Sequence, residues 1–299
     1  MMKNESFEVL FKLPESEERD FGRFIKLKRE LHISLPKDTA KKATENNKEF
    51  IQELLRKNNI SDVIIHLRQE AYNQYLKEES YFNSLILKEL STRFNTPSKI
   101  LERMSEDLFE LKLTDKKIFE KKLVETFGNY AGAISPYIYQ LCLSNTQSRR
   151  SRAGKTFEGI IYFLYELFNY SFNSQAQIGR NTFSNLGLGK IVDSILPSVD
   201  AFTKRRDKTI IGSMKTTLRE RWQEVVEEVS RSNVPSIYLL TVDDDISENK
   251  AIQMGNHNIV LVVLKSVKQQ PHLINKRSII DFETYFLEEI PTIIEYWNK

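Results

Sequence analysis

The hydrophobic pattern changes period along the chain. Residues 1 to 35 carry no decisive period. From Lys37 to about Asn145 apolar positions recur at helical spacing: Phe50, Ile51, Leu54 and Leu55 share one face, and Val63, Ile64, Leu67, Ala71 and Tyr75 another, entered at a Ser61 cap. This predicts a bundle of about five helices. Within it, Leu85–Phe94, the break Asn95–Pro97 and Ser98–Met104 read as helix, turn, helix. That order serves either DNA reading or, more commonly, plain packing. Gly128 to Gly132 marks the expected boundary between a helical N-terminal domain, 1–130, and a second domain, 131–299. The aromatic-rich helix Ser135–Leu143 opens the second domain, and a very apolar helix, Gly159–Phe168, follows with Glu158 at its N-terminal end.

Beyond the loop Asn173–Lys190 the pattern becomes extended. Ser198–Phe202 and Thr209–Met214, joined by the charged turn Lys204–Lys208, predict a β-hairpin. Ser236–Val242 and Asn258–Leu264 are continuous apolar runs separated by a short helix around Ser247–Met254, so both predict strands of a parallel section covered on both faces. An amphipathic helix, Phe282–Trp297, closes the chain. The fold class is α/β (α+β): an N-terminal helical domain, then a mixed β-sheet core flanked by helices.

Composition narrows the function classes. The chain has 299 residues, 40% of them hydrophobic, enough for one large core or two ordinary ones. Its longest apolar run, Ile259–Leu264, is far below the roughly 20 residues of a membrane helix, and Met1–Pro14 lacks a signal-peptide core, so a cytoplasmic protein with no membrane partner is expected. The lone Cys142 excludes an internal disulfide. His32, His66, His257 and His272 never reach a zinc-ligand spacing with it or with each other. The net charge is +3, yet Arg149–Arg221 holds thirteen Lys and Arg against six Asp and Glu, giving +7 there and −4 elsewhere. Such a stretch suits a polyanion or, equally, a solvated basic face.

The candidate chemistry lies between Asp200 and Glu228. The run Thr209–Ile211 ends at Gly212, and Leu218, Trp222, Val225, Val226 and Val229 then fall on one helical face, so a strand hands over to a helix near Lys215. On the predicted hairpin, Asp200 on the first strand and Lys215 at the end of the second meet at one end of the sheet. Glu228, thirteen residues after Lys215, shares a helix flank with Thr217, Arg221 and Glu224, and Glu224 is its alternate. Two carboxylates and a lysine suit phosphodiester hydrolysis: Asp200 and Glu228 would hold Mg²⁺ while Lys215 positions a water and helps deprotonate it. Structural salt bridges would use the same residues. Glu158 divides evenly between a catalytic or metal-binding acid and a helix cap. Leu188-Gly-Lys190 lacks the spacing of a phosphate loop.

Asp200, Ser213-Met-Lys215 and Glu228 resemble the PD-(D/E)XK nuclease core, in the variant of CCGG-recognising type II restriction endonucleases whose second acid has moved onto the following helix. Lys215-Thr-Thr-Leu-Arg-Glu-Arg-Trp222 is similar to the recognition helix of the EcoRII and BsaWI group, and Ser151-Arg-Ala-Gly-Lys-Thr-Phe-Glu158 to that group's upstream glutamate segment. Two features depart from the pattern. Ser213 stands where most such enzymes have an acid, and the Asp200 to Lys215 interval is short, which leaves Asp193 as the lesser candidate. The resemblance implies double-stranded DNA as substrate, Mg²⁺ as cofactor and a homodimer, higher oligomers being open. It also implies 5′-phosphate ends and a cognate DNA methyltransferase. It assigns Arg219 and Arg221 to guanines and Glu220 to cytosines at a palindrome containing CCGG, flanked by A/T pairs. Base chemistry agrees, since arginine pairs bidentately with guanine O6 and N7 while a carboxylate accepts from cytosine N4. A repair or structure-selective nuclease, or a non-catalytic DNA-binding regulator, are the alternatives.

Overall fold

The computed structural model describes residues 12–109, 115–188, 192–218, 223, 225–227, 229 and 234–299. Helices dominate the first half: α1 (Glu15–His32), α2 (Pro36–Asn46), α3 (Lys48–Arg56), α4 (Ile60–Arg93), α5 (Asn95–Phe109), α6 (Lys116–Ala133) and α7 (Ser135–Leu167). They divide between two compact units. One comprises the described residues up to Leu35 with Asn73–Ser151; the other comprises Pro36–Tyr72 with Arg152–Lys299.

The first unit is wholly helical among its described residues. Phe21, Phe24 and Ile25 of α1 pack with Phe82, Ile86 and Leu90 of α4 and with Tyr137 and Leu141 of α7. A polar layer crosses this core, where the buried Glu79 carboxylate accepts from the Arg149 guanidinium and from the Tyr75 hydroxyl. Pairing offsets the desolvation that a lone buried carboxylate would suffer.

The second unit is built on a six-stranded sheet in the order β1 (Asn173–Ser174), β2 (Ser194–Leu196), β3 (Ile210–Lys215), β4 (Ile237–Thr241), β5 (Ile259–Val263) and β6 (Ile279–Asp281). The first two pairings are antiparallel and the last three parallel. The parallel strands are Ile-, Leu- and Val-rich because both faces are covered. The expected helix between β4 and β5 forms at Glu248–Asn256, with Ser247 Oγ accepting the Lys250 N–H as its cap. The closing helix also forms, over Phe282–Asn298 with a π turn at Tyr285–Glu289.

Five local expectations differ from the structure. The units do not follow one cut at residue 130. Ala40, Ala43, Ile51, Ile60, Val63, Ile64, Leu67 and Ala71, all N-terminal to that cut, are buried in the same core as the sheet. Gly128 and Gly132 lie inside α6 at exposed positions, where a glycine lowers helix stability by about 1 kcal/mol without breaking the helix. Ser198–Phe202 is not a strand. Pro197 offers no N–H to extend a ladder, Ser198 Oγ accepts the Ala201 N–H as a cap, and Val199–Lys204 is helical. Finally, α7 runs unbroken through Gly154, so Glu158 sits in the interior of a long helix. Similarly α4 and α5 are separated only by Phe94, without the three-residue turn expected at Asn95–Pro97, and Ser61 lies within α4, where its hydroxyl donates to Glu283 instead of capping.

Candidate active site

The antiparallel pairing of β2 with β3 sets the site. Ser194 lies opposite Gly212, and the Asp193 N–H donates to the Gly212 carbonyl at 2.8 Å. A Cβ at Gly212 would lie 2.5 Å from Ser194 Oγ, so glycine permits this close approach of the strands. One step before β2, the Asp193 carboxylate reaches along β3: Oδ2 accepts the Met214 N–H at 2.7 Å and lies 4.0 Å from Lys215 Nζ. The Asp193 carbonyl accepts from Tyr162 Oη of α7 at 3.0 Å and from the Gln175 N–H at 3.0 Å. Backbone and side chain of Asp193 are therefore both fixed.

Helical periodicity brings the acid of α7 to the same place. Lys155, Glu158 and Tyr162 follow at i, i+3 and i+7, on one face. Lys155 Nζ donates to both Glu158 oxygens, at 3.0 and 2.7 Å, and the Glu158 side chain is only 14% exposed. Burial pushes the Asp193 carboxyl up from 3.8 to about 6; Lys215 pulls it down, Glu158 pushes it up, and the Met214 N–H and Lys155 draw it down again. Tyr162 is raised by burial and by the charges of Asp193 and Glu158.

This shift has a testable sign. A carboxyl with a raised folded-state pKa binds its proton more tightly when folded, so its linked stability is complete below about pH 4 and is lost as pH rises through about 6. Asp193→Asn keeps an oxygen for the Met214 N–H but carries no charge. In metal-free buffer it is expected to gain stability over the parent at pH 8, on the order of 3 kcal/mol for a shift of about two units, and nothing at pH 4. Denaturant melts at both pH values check it; equal differences at the two would show that Asp193 is not a strained carboxylate.

The expected site residues separate into three groups. Lys215 stands at the end of β3, 4.0 Å from the Asp193 carboxylate, on which the charge of Glu158 also acts. Asp200 does not join them: it is exposed in the first turn of the helix Val199–Lys204, and among the described residues no ion pair connects it to Lys215. Asp193 takes that place. Arg219, Glu220, Arg221, Glu224 and Glu228 lie outside the described residues, although Gln223, Val225–Glu227 and Val229 are helical. Among the described residues no three acids, histidines or cysteines converge as a metal cluster. Sequence reasoning had not found Tyr162 and Lys155; their helical spacing from Glu158 was the available signal.

The core is a mixed α/β sheet with a buried acid and a lysine at the end of β3 and a second acid on α7. The EcoRII C-terminal family model matches residues 111–286. The type II restriction enzyme SsoII of Shigella sonnei is 32% identical over 242 residues, covering 81% of this chain and 72% of that enzyme. The chain belongs to this family and is a type II restriction endonuclease. Metal-depleted Ecl18kI in complex with uncleaved, modified DNA superposes with a TM-score of 0.75 at 29% identity, covering 94% of this chain and 86% of the other. The restriction endonuclease PspGI in its substrate DNA complex shares the fold, with a TM-score of 0.59 at 18% identity over 88% of this chain and 94% of that one. No helix among the described residues is long and apolar enough to cross a membrane.

Proposed function

We propose that this endonuclease cuts both strands of a palindrome containing CCGG flanked by A/T pairs. It would act as a Mg²⁺-dependent homodimer in the cytoplasm, beside a cognate methyltransferase. The observation that carries the catalytic part is the Asp193–Lys215 pair at the end of β3, with Glu158 adjacent. Two acids that oppose each other's ionisation in a buried site fit a hard divalent cation, whose charge would offset both penalties. Asp193 and Glu228 would hold it, with Glu158 alongside, and Asp193 replaces Asp200 in this role. When bound, Mg²⁺ supplies charge neutralisation at the scissile phosphate. Lys215 holds the attacking water and assists its deprotonation. The water oxygen bonds to phosphorus, the bond from phosphorus to the 3′ oxygen breaks, and 5′-phosphate and 3′-hydroxyl ends remain.

Sequence reading is assigned to Arg219, Glu220 and Arg221. Two-fold symmetry of a homodimer matches a palindrome, because each copy reads one half. Digestion of a plasmid with Mg²⁺ and with chelator, followed by sequencing of the ends, tests the whole proposal. Discrete fragments whose rejoined ends share CCGG, only with metal, are expected. A smear would favour a structure-selective nuclease, and common ends lacking CC and GG would overturn the assignment of the base-reading residues.

A further inference from the structure

The loop after β4 holds the segment that follows Lys215. Lys215 and Thr241 are register partners at the ends of β3 and β4, and Asp243 stands two residues beyond Thr241. Its Oδ2 accepts the Leu218 N–H at 2.7 Å. Oδ1 accepts the Asp245 N–H at 3.2 Å, and the Asp243 N–H donates to Thr241 Oγ1 at 3.1 Å. Thr241 and Leu218 are both fully buried. Asp243 is therefore tied to its own strand by the Thr241 hydroxyl and spends its carboxylate on two amides, one of them across the loop.

We propose that Asp243 is the positioning residue that sets the register between cutting and reading. It rests on the assignment of base reading to Arg219, Glu220 and Arg221. The chain from Lys215 to Leu218 is pinned at one end by the β3–β4 ladder and at the other by Asp243. Leu218 directly precedes Arg219 in the sequence, so Asp243 ties the last described residue before the base-reading set to the strand that carries the lysine. An aspartate suits the task because a charge-assisted bond to an amide is stronger than a neutral one. The acid also lies close in sequence to two others, Asp244 and Asp245, that face solvent and make the loop unfavourable for phosphate. A carboxylate kept there is explained by what it holds.

The test uses the full-length enzyme and two substrates, one with the cognate site and one with a single base pair changed within it, for Asp243→Ala, Asp243→Asn, Ser247→Ala and Arg219→Ala. Ser247→Ala removes an ordinary cap in the same loop and controls for a purely structural loss. Losing a charged acceptor from a buried amide corresponds to a factor of about ten or more. Asp243→Ala is expected to lower the cognate-to-altered ratio of kcat/KM by about tenfold. Asp243→Asn, which keeps an acceptor oxygen, should restore part of it, and Ser247→Ala should leave the ratio unchanged. An unchanged ratio in Asp243→Ala, or an equal fall in Ser247→Ala, overturns the proposal. If Asp243→Ala melts too low to assay, an unchanged ratio in Asp243→Asn together with an unchanged KM overturns it, whereas a lowered ratio at wild-type melting temperature supports it. Arg219→Ala separates the two ideas: if its ratio alone is unchanged, the base-reading assignment fails.

Discussion

Asp193→Ala is expected to abolish cleavage, while Asp200→Ala leaves it close to the parent rate. Asp193 is buried, hydrogen-bonded to the Met214 amide and 4.0 Å from Lys215; Asp200 is solvent-exposed on a separate helix. Changing a residue that merely orients a metal ligand costs about 10–100-fold, so removing Asp193, the proposed ligand itself, should cost more than about 100-fold. The loss should persist at raised Mg²⁺, because no other described acid takes the place of Asp193 beside Lys215. Single-turnover cleavage of a plasmid by the two variants decides the matter. Full activity in Asp193→Ala with loss in Asp200→Ala would mean that the site forms differently on DNA.

The reason Asp193 was the weaker reading of the sequence is instructive. Ser198–Phe202 alternates apolar and polar residues as a strand does, and a strand there placed Asp200 beside Lys215. The local rule that prevailed was Pro197 followed by the Ser198 cap, which starts a helix, so the strand ends at Leu196. Once β2 moves back, the register opposite Gly212 brings Asp193 to the end of β3. The strand ending at Lys215 was legible because a β-branched run precedes a change of period there, although the strand runs through Gly212 instead of stopping at it. The parallel strands were legible because burial on both faces leaves an unbroken apolar run.

What was not legible depended on tertiary partners. Glu158 resembled a helix start because an apolar run begins directly after it, but nothing between Leu143 and Gly159 stops the preceding helix, and Lys155, Glu158 and Tyr162 acquire their common face only from that continuity. Residues 36–72 matched a helical domain by period, and the same period cannot say which core a helical stripe enters. Ile60, Val63 and Leu67 enter that of the sheet. Asp243 gave no local signal at all, because its acceptor bond spans 25 residues.

Cutting and reading should separate by mutation within five residues. Lys215 Nζ lies beside the Asp193 carboxylate at the end of β3, so Lys215→Ala should stop hydrolysis while specific binding stays near the parent value. Arg219 belongs to the proposed reading set, and its loss should act on binding. One bidentate guanine contact is worth about 1–3 kcal/mol of discrimination, and a homodimer loses it twice, so Arg219→Ala should bind its site about 30-fold to about 20,000-fold less tightly and little better than random DNA. Glu220→Ala should relax the choice at cytosine with a smaller fall in affinity, since it also removes a carboxylate that repels phosphate. Gel-shift titrations on specific and random duplexes at one salt concentration measure this, the salt being fixed because each phosphate contact adds to the salt slope. Unchanged discrimination in both Arg219→Ala and Arg221→Ala would move base reading to another part of the chain, and lost binding in Lys215→Ala would mean that the lysine holds DNA as well as water.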